Sequence, residues 1–202
     1  METERYTTLA GELRHEIPKI KGSRFLATVA AVASDDEARA LVDRVRKELH
    51  DARHHAWAYR VGPGAERFRW SDDGEPGGSA GKPILQALEG RDLTDSVAVV
   101  ARWFGGTKLG VGGLVRAYGG AAAAALDLAP TRVVTRTHRI VLAYPYACSS
   151  PVKVLLDEFG LEPSDSSYAE SVRLVVDVPL SRADAFAAAF IDRTAGRGTV
   201  TG

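Results

Sequence analysis

Five of the twelve residues in Arg102-Trp103-Phe104-Gly105-Gly106-Thr107-Lys108-Leu109-Gly110-Val111-Gly112-Gly113 are glycine. Neither a helix nor a strand interior tolerates that density, because glycine loses more backbone freedom on ordering than any other residue. The segment is therefore a loop. Before it, Val97 to Ala101 is a continuous apolar run and reads as a short buried strand. After it, residues 113–128, with Ala121 to Ala125 at their centre, read as a helix that Pro130 ends. Free N–H groups at the start of such a helix favour an anion. Lys108 and Arg102 add fixed positive charge, Arg116 follows within the helix, and Trp103 and Phe104 offer stacking faces. That mix suits a phosphate-bearing partner, RNA included. Gly105, Gly106, Gly110, Gly112 and Gly113 would let it come close. The same glycines also suit a tight turn whose aromatics fill the core, and the sequence leaves both readings open.

The rest of the composition narrows the function classes. The chain has 202 residues, 45% apolar and 26% charged, with 26 basic and 26 acidic side chains. That is the balance of a folded globular protein, not of a disordered chain or a strongly basic coat protein. The neutral total hides an asymmetry. Residues 96–156 carry seven basic side chains and one acidic, whereas residues 157–192 carry two basic and eight acidic. A local positive field attracts anions even on a neutral molecule. A lone cysteine, Cys148, excludes an internal disulfide framework. No stretch approaches the roughly 20 apolar residues of a membrane helix. Met1-Glu2-Thr3-Glu4-Arg5 lacks the layout of a signal peptide, so the expectation is a cytoplasmic protein without a membrane role.

Periodicity divides the chain near Pro130 into domains at 1–130 and 131–202. In the first, residues 24–33 read as a strand, and Ser34-Asp35-Asp36-Glu37 as a capping box. Ala38, Leu41, Val42, Val45 and Leu49 continue as a one-sided helix. His55 to Val61 and residues 66–70 form a hairpin around Pro63-Gly64, and a helix starts at Pro83. In the second domain, strands at 132–144, 163–169, 172–178 and 197–201 alternate with helices after Ser150-Pro151 and Ser181. The order βαββαβ is that of a ferredoxin-like sandwich. The fold class is α+β.

Three further motifs carry possible chemistry. Gly77-Gly78-Ser79-Ala80-Gly81-Lys82 approaches a P-loop, but Pro76 and Pro83 stand where a glycine and a Ser or Thr are needed. The segment thus fails the P-loop pattern at two positions, which argues against nucleotide hydrolysis by that route, while an anion beside Lys82 at the helix start is allowed. His50-Asp51-Ala52-Arg53-His54 has the spacing of a zincin helix, with Asp for Glu. A third metal ligand would come from Asp72, Asp73 or Glu75. Ser71-Asp72-Asp73-Gly74-Glu75-Pro76 is an acidic turn without EF-hand spacing, suited to holding Arg102 or Arg116 by ion pairing.

Ser71 to Pro76, Gly81-Lys82-Pro83-Ile84-Leu85, Arg102 to Gly110, and Gly112-Gly113-Leu114-Val115-Arg116-Ala117-Tyr118-Gly119-Gly120 together resemble the YigZ/IMPACT family. Ser23-Arg24-Phe25 and His54 to Tyr59 fit its earlier part, so the likeness spans roughly residues 20–128 in order. The second domain is similar to the extra domain of bacterial members. The resemblance implies a first domain folded like a small-subunit ribosomal protein domain and like domain IV of elongation factor G. It implies a second domain like domain V of that factor. Eukaryotic relatives act in translational control, through the pathway governing the initiation-factor kinase. The expected function is a non-enzymatic translation-associated regulator. It would bind ribosome, structured RNA or a translation factor through Arg102, Lys108, Arg116, Lys82 and the loop glycines, with no cofactor and no bound metal. The alternative is a small metal-dependent hydrolase or phosphate-handling enzyme built on His54, Asp72, Asp73 and Glu75. Oligomeric state leaves no trace in the sequence.

Overall fold

The structure is a computed structural model describing residues 4–202. The chain forms two compact units, one ending at Val134 and the other spanning Thr135–Gly202. The first holds a five-stranded antiparallel sheet. Its strands are β2 (Leu13–Ile20), β3 (Ser23–Ala31), β4 (His54–Val61), β5 (Arg67–Ser71) and β6 (Ser96–Trp103). Their spatial order is β2-β3-β6-β4-β5. Central β6 is buried on both faces, which explains its unbroken apolar run. Val97 and Val99 point to one core, Ala98 and Val100 to the other.

Helix α1 (Asp35–Glu48) covers one face. Ser34 Oγ accepts from the Glu37 N–H at 3.2 Å, so the expected cap forms, and Glu37 reaches back one residue beyond the cap to the Ala33 N–H at 2.7 Å. Helices α2 (Gly81–Glu89) and α3 (Val111–Leu128) cover the other face. There the sheet presents small side chains, Ala27, Ala56, Ala58 and Ala98, and α3 answers with Ala117, Ala121, Ala122 and Ala125. Small residues on both sides let helix and sheet approach closely. Between the helices, Gly119 lies against Pro83, where a Cβ would sit 3.3 Å from the proline Cβ.

Two strands precede the first one read from the sequence: β1 (Arg5–Leu9) and β2. The single strand expected over 132–144 is two, β7 (Thr131–Thr135) and β8 (Thr137–Tyr144). β7 pairs with β1, so the division between the units falls beyond Pro130.

The second unit runs β8, α4 (Ser149–Phe159), β9 (Pro163–Tyr168), β10 (Val172–Pro179), α5 (Ala183–Arg193), β11 (Thr199–Thr201). The sheet order is β11-β8-β10-β9, with every neighbour antiparallel, which is the ferredoxin-like arrangement. Its core joins Ile140, Leu142, Val176 and Val178 to Val152, Leu155, Phe186 and Phe190. Gly160 ends α4 in the left-handed conformation. Among the described residues no helix is long and apolar enough to cross a membrane.

Candidate functional site

The acidic turn, residues 71–76, sends each of its three carboxylates to a different structural task. Asp72 turns to the start of α2. Its Oδ1 accepts from the Ala80 and Gly81 N–H groups, both at 2.9 Å, and its Oδ2 from Gly78 N–H at 2.7 Å. The P-loop-like segment thus already holds an anion, and that anion is the chain's own side chain. Lys82 is exposed beside a helix start that is already satisfied, which corrects the expectation that it borders an anion site.

Asp73 ties the turn to the first histidines of β4. Its carboxylate accepts from His55 N–H at 2.7 Å and from Arg46 at 2.8 Å. Its carbonyl accepts from His54 Nδ1 at 2.8 Å. His55 is buried and its Nε2 donates to the Leu49 carbonyl at 3.0 Å. The zincin reading fails on geometry, since α1 ends at Glu48 and His54 opens a strand. Among the described residues no three His, Cys, Asp or Glu side chains are grouped to hold a metal ion. His54, Asp72, Asp73 and Glu75 lie near one another, but each is engaged in holding the turn.

Glu75 is the third carboxylate and the most enclosed, with its side chain 5% exposed. Its Oε1 accepts from Arg102 Nη1 at 2.6 Å and from Tyr118 OH at 2.7 Å, and His54 Nε2 stands 3.9 Å away. Burial, reinforced by the hydrogen bond to Glu75, pushes the Tyr118 phenol far above its ordinary value, so it remains a neutral donor. Arg102 is 5% exposed and lies between the rings of Phe25 and Phe104, its Cζ 5.6 and 5.7 Å from their centroids. Nη2 reaches Ser23 Oγ at 3.4 Å, while Nε is buried without a hydrogen-bond partner. This corrects the expectation that Arg102 points outward with Lys108 and Arg116. A guanidinium at the end of the central strand is drawn inward by the carboxylate above it, as the ion-pairing reading of the acidic turn anticipates. Trp103 is not an open stacking face either, because the Arg24 guanidinium lies over its ring at 4.6 Å.

The glycine loop leaves β6 and immediately touches the β2–β3 turn. A Cβ on Gly105 would fall 1.9 Å from the Gly22 carbonyl carbon, so these two backbones are in direct contact. Gly106 (φ 87°) and Gly110 (φ 72°) take the left-handed region with open space around them. Gly110 is the N-cap of α3. No side chain caps this helix, and its first turn holds no acid. Gly112 and Gly113 follow there. Arg116, one turn on, lies back along the helix, its Nη1 3.8 Å from where a Cβ on Gly112 would be. Lys108 and Arg116 are both exposed. Among the described residues neither forms an ion pair.

Between the loop and the acidic turn lies a cavity of about 340 Å³, whose lining includes Glu75, Arg102, Phe104, Lys108, Gly110 and Val111. The remaining basic residues of 96–134 do not join it. Arg132 lines a separate cavity with Tyr6 and Glu37. Tyr118 and Ser23 belong to the site and are not among the residues that sequence reasoning selects. Tyr118 reads there as a helix residue, and nothing local marks its hydroxyl for Glu75.

Comparison with known proteins places the chain in a family. The model of the Impact N-terminal domain matches residues 21–126, and that of a domain of unknown function, DUF1949, matches residues 142–197. The chain is 34% identical to an IMPACT family member of Haemophilus influenzae over 89% of this chain and 88% of that protein. It is 37% identical to the IMPACT family member YigZ of Escherichia coli over 89% of each. A crystal structure of a hypothetical protein aligns over 99% of this chain and 98% of its own with a TM-score of 0.73 and 34% identity. The chain belongs to the IMPACT family.

Proposed function

We propose that this protein is a non-enzymatic, translation-associated regulator that binds structured RNA, on the ribosome or with a translation factor, through the glycine loop and the first turn of α3. One observation carries the reading. The start of an 18-residue helix has no capping side chain and no acid, and two unpaired cations, Lys108 and Arg116, stand beside it. A cation at a helix N-terminus is repelled by the dipole, so the arrangement is stabilised when an anion arrives. Phe104 beside it is half exposed, with the Arg102 guanidinium over its ring. Family membership and the link of the family's eukaryotic relatives to translational control support the biological setting. The likeness of the two units to domains IV and V of elongation factor G belongs to the same proposal, and the ferredoxin-like second unit is compatible with it. The hydrolase alternative is disfavoured, because Asp72, Asp73, His54 and Glu75 already hydrogen-bond or pair with chain groups.

The test is binding of a structured RNA by the full chain across a salt series. Affinity is expected to fall as salt rises, and Lys108→Ala to reduce the slope of that dependence by about one phosphate contact. Wild-type binding that is absent or indifferent to salt, unchanged in Lys108→Ala, overturns the reading.

A further inference from the structure

The second unit holds a cavity of about 350 Å³ along the groove between α4 and β9, the edge strand of its sheet. Its floor is apolar, with Leu156 and Leu174 buried and Leu161 half-buried. Tyr144, at the end of β8, lines it and is 5% exposed. Among the described residues the Tyr144 hydroxyl has no hydrogen-bond partner, yet it is not one of the unpartnered polar atoms sealed from solvent. The hydroxyl of an otherwise buried ring is therefore open, and it opens on the cavity that the ring lines. Burial raises the phenol above its ordinary pKa, so it stays a neutral O–H donor. A donor held in so enclosed a place is satisfied when an acceptor arrives from outside the chain.

Charge sorts along the same groove. Ser149, Lys153 and Asp157 recur every four residues on α4 and so share one row of the helix. α4 starts just after β8 finishes, which puts Ser149 and Lys153 toward the Tyr144 end. Asp157 lies about 6 Å beyond Lys153 along the axis, and Glu162 follows past the helix end. Each charge opposes the helix dipole, with a cation toward the N-terminus and acids toward the C-terminus. The neighbouring Glu158 pairs with Arg193. Among the described residues Lys153, Asp157 and Glu162 form no ion pair. A ligand that answers a cation and a hydroxyl donor at one end and carboxylates at the other is a zwitterion, and the floor between them takes an apolar side chain. An α-amino acid holds its two charges close together, as side chains one helical turn apart require. The volume, at the small end for ligand pockets, suits one such molecule. We infer that this groove is a binding site for a free apolar amino acid of leucine's size. Its carboxylate accepts from Tyr144 and Lys153, its ammonium donates to Asp157 and Glu162, and its side chain rests on Leu156, Leu161 and Leu174. The site lies wholly within the second unit and is independent of the glycine-loop reading.

The experiment is an NMR titration of the full wild-type chain with leucine, with isocaproate, which lacks the ammonium, with isoamylamine, which lacks the carboxylate, and with glycine, which lacks the apolar side chain. Leucine is expected to bind about tenfold more tightly than each of the other three, shifting the amide signals of Lys153, Asp157 and Leu161. Tyr144→Phe removes a hydroxyl that has no partner in the chain. Thermal unfolding should therefore stay as in wild type while leucine affinity falls about tenfold. Asp157→Asn should weaken leucine and leave isocaproate unchanged. Equal binding of leucine and isocaproate overturns the amino-acid assignment, and so does leucine binding that Tyr144→Phe leaves intact. Absence of any leucine-induced shift in the wild type overturns it whatever the variants do, and leaves the RNA reading standing.

Discussion

Helices α2 and α3 both begin beside glycines, and their first turns are in opposite electrostatic states. At α2 the Asp72 carboxylate takes three backbone N–H groups, so the helix start is complete within the chain. At α3 the N-cap is Gly110, no carboxylate approaches, and two unpaired cations lie near. The same acidic turn passes both places. It gives Asp72 to the first helix, whereas its Glu75 goes to Arg102 and Tyr118 and not to the amides of the second. The difference teaches that a glycine-rich helix start says little by itself. What decides between a structural turn and a binding surface is whether a side chain of the same protein already fills the place of the anion.

Substitutions test the contrast, beginning with the largest effect. Glu75→Ala leaves a buried guanidinium without its counter-ion and is expected to destabilise the first unit by about 3–5 kcal/mol in denaturant unfolding. A loss below that of Asp72→Ala breaks the view that the enclosed pair, not the cap, is the stronger tie. Asp72→Ala frees three partly exposed amides and is expected to cost about 2–3 kcal/mol. It also vacates the α2 start, so inorganic phosphate should then shift the amide NMR signals of Gly78, Ala80 and Gly81, which it leaves unmoved in wild type. Val111→Asp supplies α3 with the acid it lacks. Stability should rise by about 0.3–1 kcal/mol while salt-dependent RNA binding falls, measured by thermal unfolding and by fluorescence anisotropy. Arg116→Ala is the smallest. Removing a cation from near the helix N-terminus should leave stability level or raise it by up to about 0.5 kcal/mol, with weaker RNA binding. A clear loss of stability would show that Arg116 has a structural partner and that the α3 start is not open.

Local rules read much of the fold correctly. The Ser34 cap and the apolar run of β6 each depend on a few adjacent residues, and each appears where the pattern puts it. The first two strands escape the pattern for physical reasons. β2 carries Leu13, Ile17 and Ile20 inward, but its register shifts between Ile17 and Ile20 around Pro18, which breaks the two-residue period. β1 has its partner β7 more than a hundred residues away, and no local signal announces such a pairing. At the site the residue types were legible and their directions were not. Arg102 and Lys108 are both loop-flanking cations in the sequence. Only the β3–β6–β4 pairing, which sets Arg102 opposite Phe25 and His54, turns one inward while the other stays in solvent.

The contact between Gly22 and Gly105 joins the binding loop to the hairpin formed by β2 and β3. There is no side chain between the two backbones to act as a cushion, so the hairpin tip and the loop are obliged to travel together. Pressure on one side is felt on the other. A spectroscopic label on Lys21, which is exposed and outside the cavity lining, therefore becomes a remote gauge of whether the loop is occupied.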